Sequence, residues 1–350
     1  MRLATLSRQP PEAEPGSTAT PSRVPEPYAD AQEASWRFYM DAAEGLFNVG
    51  QDEQAMEYLS RAADVATELG RNDPHVAESL NALAVMHSRA GNHATAERLL
   101  RRAAAIYEHS YGPTHPDLGT VLYNLAGVAK LQHKRDAAVR WCEQALGIAE
   151  HAHGPNRPEV ALVLDLLGEI YVSLNRRPAA LFALRRALAI KEGVLGRDDW
   201  STAITLGKLG EFYLTGGRYN EAEPLLRRAL TIKAQILGSE NPSLAKDLKR
   251  LAYAYSAQHK FYEAEPLFRS ALGMLKRALG SKRPEIVPAL RDLAKTYREE
   301  ARFSETKRLL EISIAILEKA AGPNHSDTET ALEFYSEILR VMNLDAARQA

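Results

Sequence analysis

Apolar residues recur along most of this chain at spacings of three and four, and the stripes they form come in pairs. The clearest pair lies between Leu206 and Pro242. Leu206, Leu209, Gly210 and Tyr213 share one face of a period of about 3.6 residues and predict a helix. Gly216 and Gly217 then supply backbone freedom for a tight turn. Ala222, Leu225, Leu226, Ala229, Leu230 and Ile232 give a second helix its apolar face, and Arg227, Arg228 and Lys233 are assigned to the rest of its circumference. Pro224 reads as a first-turn residue, where a missing N–H costs little, and Gly238 as the stop.

This unit repeats. Gly70, Gly112, Gly154, Gly196, Gly238, Gly280 and Gly322 stand 42 residues apart, and four residues beyond them come Pro74, Pro116, Pro158, Trp200, Pro242, Pro284 and Ser326. Leucine holds positions 80, 122, 164, 206, 248, 290 and 332, and alanine holds 96, 138, 180, 222 and 264. Small residues such as Gly210, Ala222 and Ala229 are expected where neighbouring helices approach closely, so that enlarging them overpacks the contact.

The phrase Leu-x-x-Leu-Gly-x-x-Tyr, followed by small residues on a second helix, resembles the tetratricopeptide repeat, whose usual period is about 34. The 42-residue spacing, with its Gly-x-x-x-Pro linkers and the EAEPLxxRAL phrase from Glu221 to Leu230, resembles the kinesin light chain class. The resemblance covers roughly residues 30 to 343. It implies an all-α, right-handed superhelical solenoid of antiparallel helix pairs: seven helical hairpins plus a C-terminal helix over residues 28–350, behind a tail at 1–27. That tail holds six prolines and few apolar residues, a composition expected to be disordered. The first hairpin, about Ala31 to Leu69, replaces the leucine ladder with Trp36, Phe38, Tyr39, Leu46 and Phe47, as terminal repeats do.

Charge is balanced, 44 basic residues against 45 acidic, so there is no global field to recruit nucleic acid or an anionic membrane. No apolar run reaches membrane-spanning length. The single cysteine, Cys142, excludes an internal disulfide and suits a reducing compartment, so a cytoplasmic location is expected. Cys142 falls on a buried stripe and reads as a packed small hydrophobe. Phosphate-loop, nucleophile-elbow, zinc-helix and CxxC motifs are all missing. His109, His115, His151 and His153 read as scattered rather than as a metal set, and no cofactor is expected. Asp165 and Glu169, four apart on one helix, read as a solvated acidic patch rather than an acid–base pair. The expectation is a non-enzymatic chain.

In tetratricopeptide arrays the first helix of each hairpin lines the concave surface, and the resemblance assigns groove positions by offset from the second leucine. The candidates are Asn81, Tyr123 and Asn124, then Lys246, Lys249, Arg250 and Tyr253, then Arg291, Lys295 and Arg298. Asn81 and Asn124 match asparagines that, in similar arrays, bond the backbone of an extended peptide. The six cations read as one basic strip, with Asp292 the sole acidic groove residue among them. This predicts an adaptor that takes an acidic peptide in its groove, with an apolar or aromatic anchor near Tyr253. The alternative is a self-assembling scaffold that stacks through its terminal repeats. Trp200, which breaks the proline pattern, either fills space between hairpins or stands exposed as a contact residue.

Overall fold

A computed structural model describes residues 27–349. The expected tail, 1–27, lies outside those residues except for Pro27, which opens the first helix. The described residues form fifteen α-helices, with no strand among them. The chain divides into two compact units, one ending at Val194 and one beginning at Leu195.

The first unit holds four hairpins: α1 (Pro27–Asn48) with α2 (Asp52–Leu69), α3 (Pro74–Arg89) with α4 (His93–Tyr111), α5 (Pro116–Leu131) with α6 (Arg135–His153), and α7 (Pro158–Ser173) with α8 (Arg177–Val194). The second holds α9 (Trp200–Thr215) with α10 (Tyr219–Leu237), α11 (Ala245–Ser256) with α12 (Phe261–Leu279), and α13 (Val287–Glu299) with α14 (Phe303–Ala321), followed by α15 (Ser326–Gln349). Within each unit a helix packs on its neighbours in sequence, and α5 also touches α3 and α7, as α11 touches α9. Each hairpin therefore completes its core against the next one.

The linkers start helices as the pattern predicted. Pro74, Pro116 and Pro158 occupy first helical positions, and the side chains of Asp73, His115 and Asp199 accept from backbone N–H groups two residues on. At Pro242 and Pro284 the entry is a short 3-10 turn that leads into α11 and α13. Pro224 lies further in than the sequence suggested: α10 begins at Tyr219, which places the proline in the second turn, and Pro266 repeats this in α12. Both prolines are exposed, so water can take the carbonyl each leaves without its helical partner.

The small residues sit where the reading placed them. A Cβ on Gly210 would stand 2.6 Å from Leu226 Cγ, and one on Gly168 would stand 2.7 Å from Leu184 Cγ, so α9 and α7 can approach their partner helices only without a side chain there. Cys142 is fully buried with its Sγ 3.5 Å from the Val163 carbonyl, and burial pushes its thiol up to about 12, as befits a packing residue.

Two charged residues depart from expectation. Asp165, read as solvated, is 1% exposed, and Lys191 Nζ of α8 meets its Oδ2 at 2.7 Å while itself 2% exposed. Lys233, read as part of the outer circumference, turns inward, and its Nζ lies 2.7 Å from Asp247 Oδ2. The two lysines are 42 residues apart, but their carboxylates come from different places, the same hairpin for Lys191 and the following helix for Lys233. An apolar periodicity cannot report such a pair, because each charge looks solvent-facing until its partner is known. Trp200 is exposed, at 39%, with the Lys233 ammonium 6.0 Å from its ring centroid.

Candidate functional site

The odd-numbered helices from α3 onward carry the predicted groove residues, and in both units polar side chains join one such helix to the next. In the first unit Asn124 Nδ2 donates to Asn81 Oδ1 at 2.8 Å, and Lys130 bonds Glu169. The two asparagines expected to hold a peptide backbone thus hold each other. Tyr123 is half-buried against the core, and burial raises its phenol, with Glu169 adding to the effect; it is a packing residue more than an open contact.

In the second unit Lys249 Nζ meets Asp292 Oδ2 at 2.9 Å, Arg250 bonds Glu211, and Arg298 Nη1 lies 3.5 Å from Glu337 Oε1. These links fall into sequence registers. Asn81–Asn124 and Lys249–Asp292 are equivalent pairs four repeats apart, and so are Lys130–Glu169 and Arg298–Glu337. Midway between the last two, the equivalent positions hold Leu214 and Tyr253.

An apolar pair at this register coincides with a cleft on the same helices. It has a volume of about 570 Å³ and is floored by Leu214, Ala245, Tyr253 and Leu275. Tyr253 is 52% exposed, and its ring meets Tyr219 edge-on at 6.1 Å. Lys246, Lys249 and Arg250 border the cleft, as do Glu211 and Asp292. Arg250 is held from below as well, with Nη1 3.4 Å from the buried Asp247 Oδ1. A second cleft of about 320 Å³ sets Arg291, Lys295 and Arg298 of α13 against Glu333, Phe334 and Glu337 of α15. There the Arg298 guanidinium lies 5.3 Å from the Phe334 centroid, and Arg291 Nε is buried without a partner among the described residues.

The basic strip is accordingly not bare. Lys246, Lys249, Arg250 and Tyr253 come together in one cleft, and Arg291, Lys295 and Arg298 in another. Glu211, Glu333 and Glu337 counter them alongside Asp292. Asp292 was legible as a groove carboxylate, but the pairing of Glu211 and Glu337 with arginines of α11 and α13 was not, because they arrive from α9 and α15 at offsets of 39 residues. The signal was present in the sequence as opposite charges at that spacing.

Helix pairs of this register match the tetratricopeptide repeat models, one over residues 117–193, 201–277 and 248–319 and a second over 76–117. The chain belongs to the tetratricopeptide repeat family. Among solved tetratricopeptide-like structures, a Podosopora anserina putative kinesin light chain with nearly identical repeats is 26% identical, covering 59% of this chain and 98% of that one at a TM-score of 0.54. BtubC (BKLC) from P. vanneervenii is 24% identical over 65% of this chain and 92% of its own, with a TM-score of 0.57. The Cut9–Hcn1 hetero-tetramer of APC/C aligns over 88% of this chain and 52% of that chain at 14% identity and a TM-score of 0.58. The last two likenesses speak for the fold alone. A comparison with curated proteins gave no match. Tetratricopeptide repeats serve in protein–protein interaction, and this repeat array shares that general role.

Among the described residues no His, Cys, Asp or Glu cluster has the makings of a metal site, and no helix is long and apolar enough to cross a membrane.

Proposed function

We propose that this chain is a non-enzymatic adaptor and that the cleft at Tyr253 takes an extended, acidic peptide segment of a partner protein. The observation that carries this reading is the exposure of Tyr253, beside a half-buried Leu214, at a register that two other repeats fill with an ion pair. An exposed aromatic ring on a helical floor gives contact area at low entropic cost, and aromatic anchors are where interface energy concentrates. Around it, Lys246 and Arg250 favour carboxylates, arginine through its planar fork and lysine as a steering charge. Selecting a displayed peptide library on the intact chain tests this. Enriched sequences should place carboxylates beside an apolar side chain, and Tyr253→Ala should weaken them about tenfold or more, roughly 1.4 kcal/mol. Binders indifferent to Tyr253→Ala would remove the reading.

A second reading, self-assembly through α15, is supported by Leu332. Its counterparts at 80, 122, 164, 206, 248 and 290 are buried, whereas Leu332 is 39% exposed.

A further inference from the structure

Two cations of the Tyr253 cleft, Lys249 and Arg250, are already engaged, and by groups of unequal freedom. Arg250 keeps only 19% of its side chain exposed and is braced by Asp247, which is 7% exposed and itself held by Lys233. Its other partner, Glu211, is 50% exposed. Lys249 is engaged from the opposite neighbour alone, meeting Asp292 of α13, which is 32% exposed. Lys246 borders the same cleft, is exposed, and has no partner among the described residues. Arg250 is thus fixed to the floor, while two carboxylates reach over it and Lys249 from the helices before and after.

We propose that Glu211 and Asp292 are internal stand-ins for the partner's carboxylates, and that an acidic segment binds by displacing them from Arg250 and Lys249. This rests on the peptide-groove reading and refines it. Exposed ion pairs are weak, so releasing Glu211 and Asp292 to water costs little. An incoming carboxylate that also buries an apolar side chain beside Tyr253 shields its ion pair from solvent, which the flexible rim glutamate does not. The exchange has two consequences. At rest the cleft is nearly neutral and does not attract polyanions indiscriminately. On binding, one set of ion pairs replaces another, so the affinity of the native chain for an acidic peptide varies little with salt.

The test measures binding of two fluorescent peptides by anisotropy across a salt series. One carries glutamates on both sides of a central phenylalanine, and the other carries glutamine in place of each glutamate. They are titrated against the native chain, Glu211→Gln, Asp292→Asn and the double variant, each checked for helicity. Removing the stand-ins should tighten the glutamate peptide about tenfold in the double variant and steepen its salt dependence, because net ion pairs are then formed. The glutamine peptide should gain nothing. If the glutamate peptide binds native and variant chains equally, the exchange is overturned while the groove reading survives. Weaker binding by the variants would show that Glu211 and Asp292 position Arg250 and Lys249, which also overturns it. Failure of every chain to bind removes the exchange and the groove reading together.

Discussion

Gly207 and Gly210 sit three residues apart on α9, both buried, and the structure gives them opposite reasons to be glycine. A Cβ at 210 would lie 2.6 Å from two carbons of Leu226, far inside contact distance, so Gly210→Ala should cost about 1 to 3 kcal/mol through overpacking. At 207 the nearest atoms, Asp247 Oδ1 and Lys233 Nζ, are 3.9 Å away, an ordinary contact. Gly207→Ala should therefore gain up to about 1 kcal/mol from helix propensity. Urea midpoints of the two variants on either side of the native value would establish the contrast, and a shared direction would refute it. The sequence identified position 210 because the small residue recurs on the packing stripe; it carried no sign of the room at 207, which depends on where two charged side chains turn.

At the scale of helices, apolar order made the hairpins and their linkers legible almost residue by residue, because each repeat spells the same packing stripe. Polar links between helices were not, since their partners lie 14 to 43 residues away on another element. One such link recurs. Glu97 accepts from Lys134 at 2.6 Å, Glu223 from Lys260 at 2.8 Å and Glu265 from Arg302 at 2.7 Å, each joining one hairpin to the turn of the next. All three carboxyls are held below the ordinary glutamate value. For Glu97 the Lys134 hydrogen bond is the main cause; for Glu223 and Glu265 burial pushes upward, and hydrogen bonds from Lys260 and Gln258, or from Tyr297 and Arg302, outweigh it. A depressed folded-state pKa stabilises fully above the unfolded value, about 4.3, and that contribution is lost as pH falls through the folded one. Glu97→Gln, Glu223→Gln and Glu265→Gln together should flatten the decline of the urea midpoint on acidification through that range. A triple variant as acid-sensitive as the native chain would assign the loss to other groups.

Across the molecule, stability is distributed among neighbouring contacts, and any packing face left over is open to another chain. Leu332 marks one on α15. If that face takes a second copy, light scattering should show a mass that rises with concentration for the native chain and stays at the monomer value for Leu332→Glu. A constant native mass would end the self-assembly reading. The candidate site was half legible on this scale: the sequence named the cations, Tyr253 and Asp292, while the ion pairs that neutralise those cations and the pairing of Asn81 with Asn124 emerged only once helices were set side by side.

The inward pair of Lys233 and Asp247 bears on how units of similar pattern find their order. Apolar stripes are interchangeable text, so a hairpin could dock on the wrong neighbour with little loss of contact. At positions equivalent to Asp247 stand Ser79, Val121, Val163, Thr205, Ala289 and Ala331, none of them anionic. A slip of one unit that laid α10 on α13 would set the Lys233 ammonium against the methyl group of Ala289, an error of several kcal/mol. The pair is an address: it tells the third hairpin from the end which page follows, and makes a misfiled one pay in unsolvated charge.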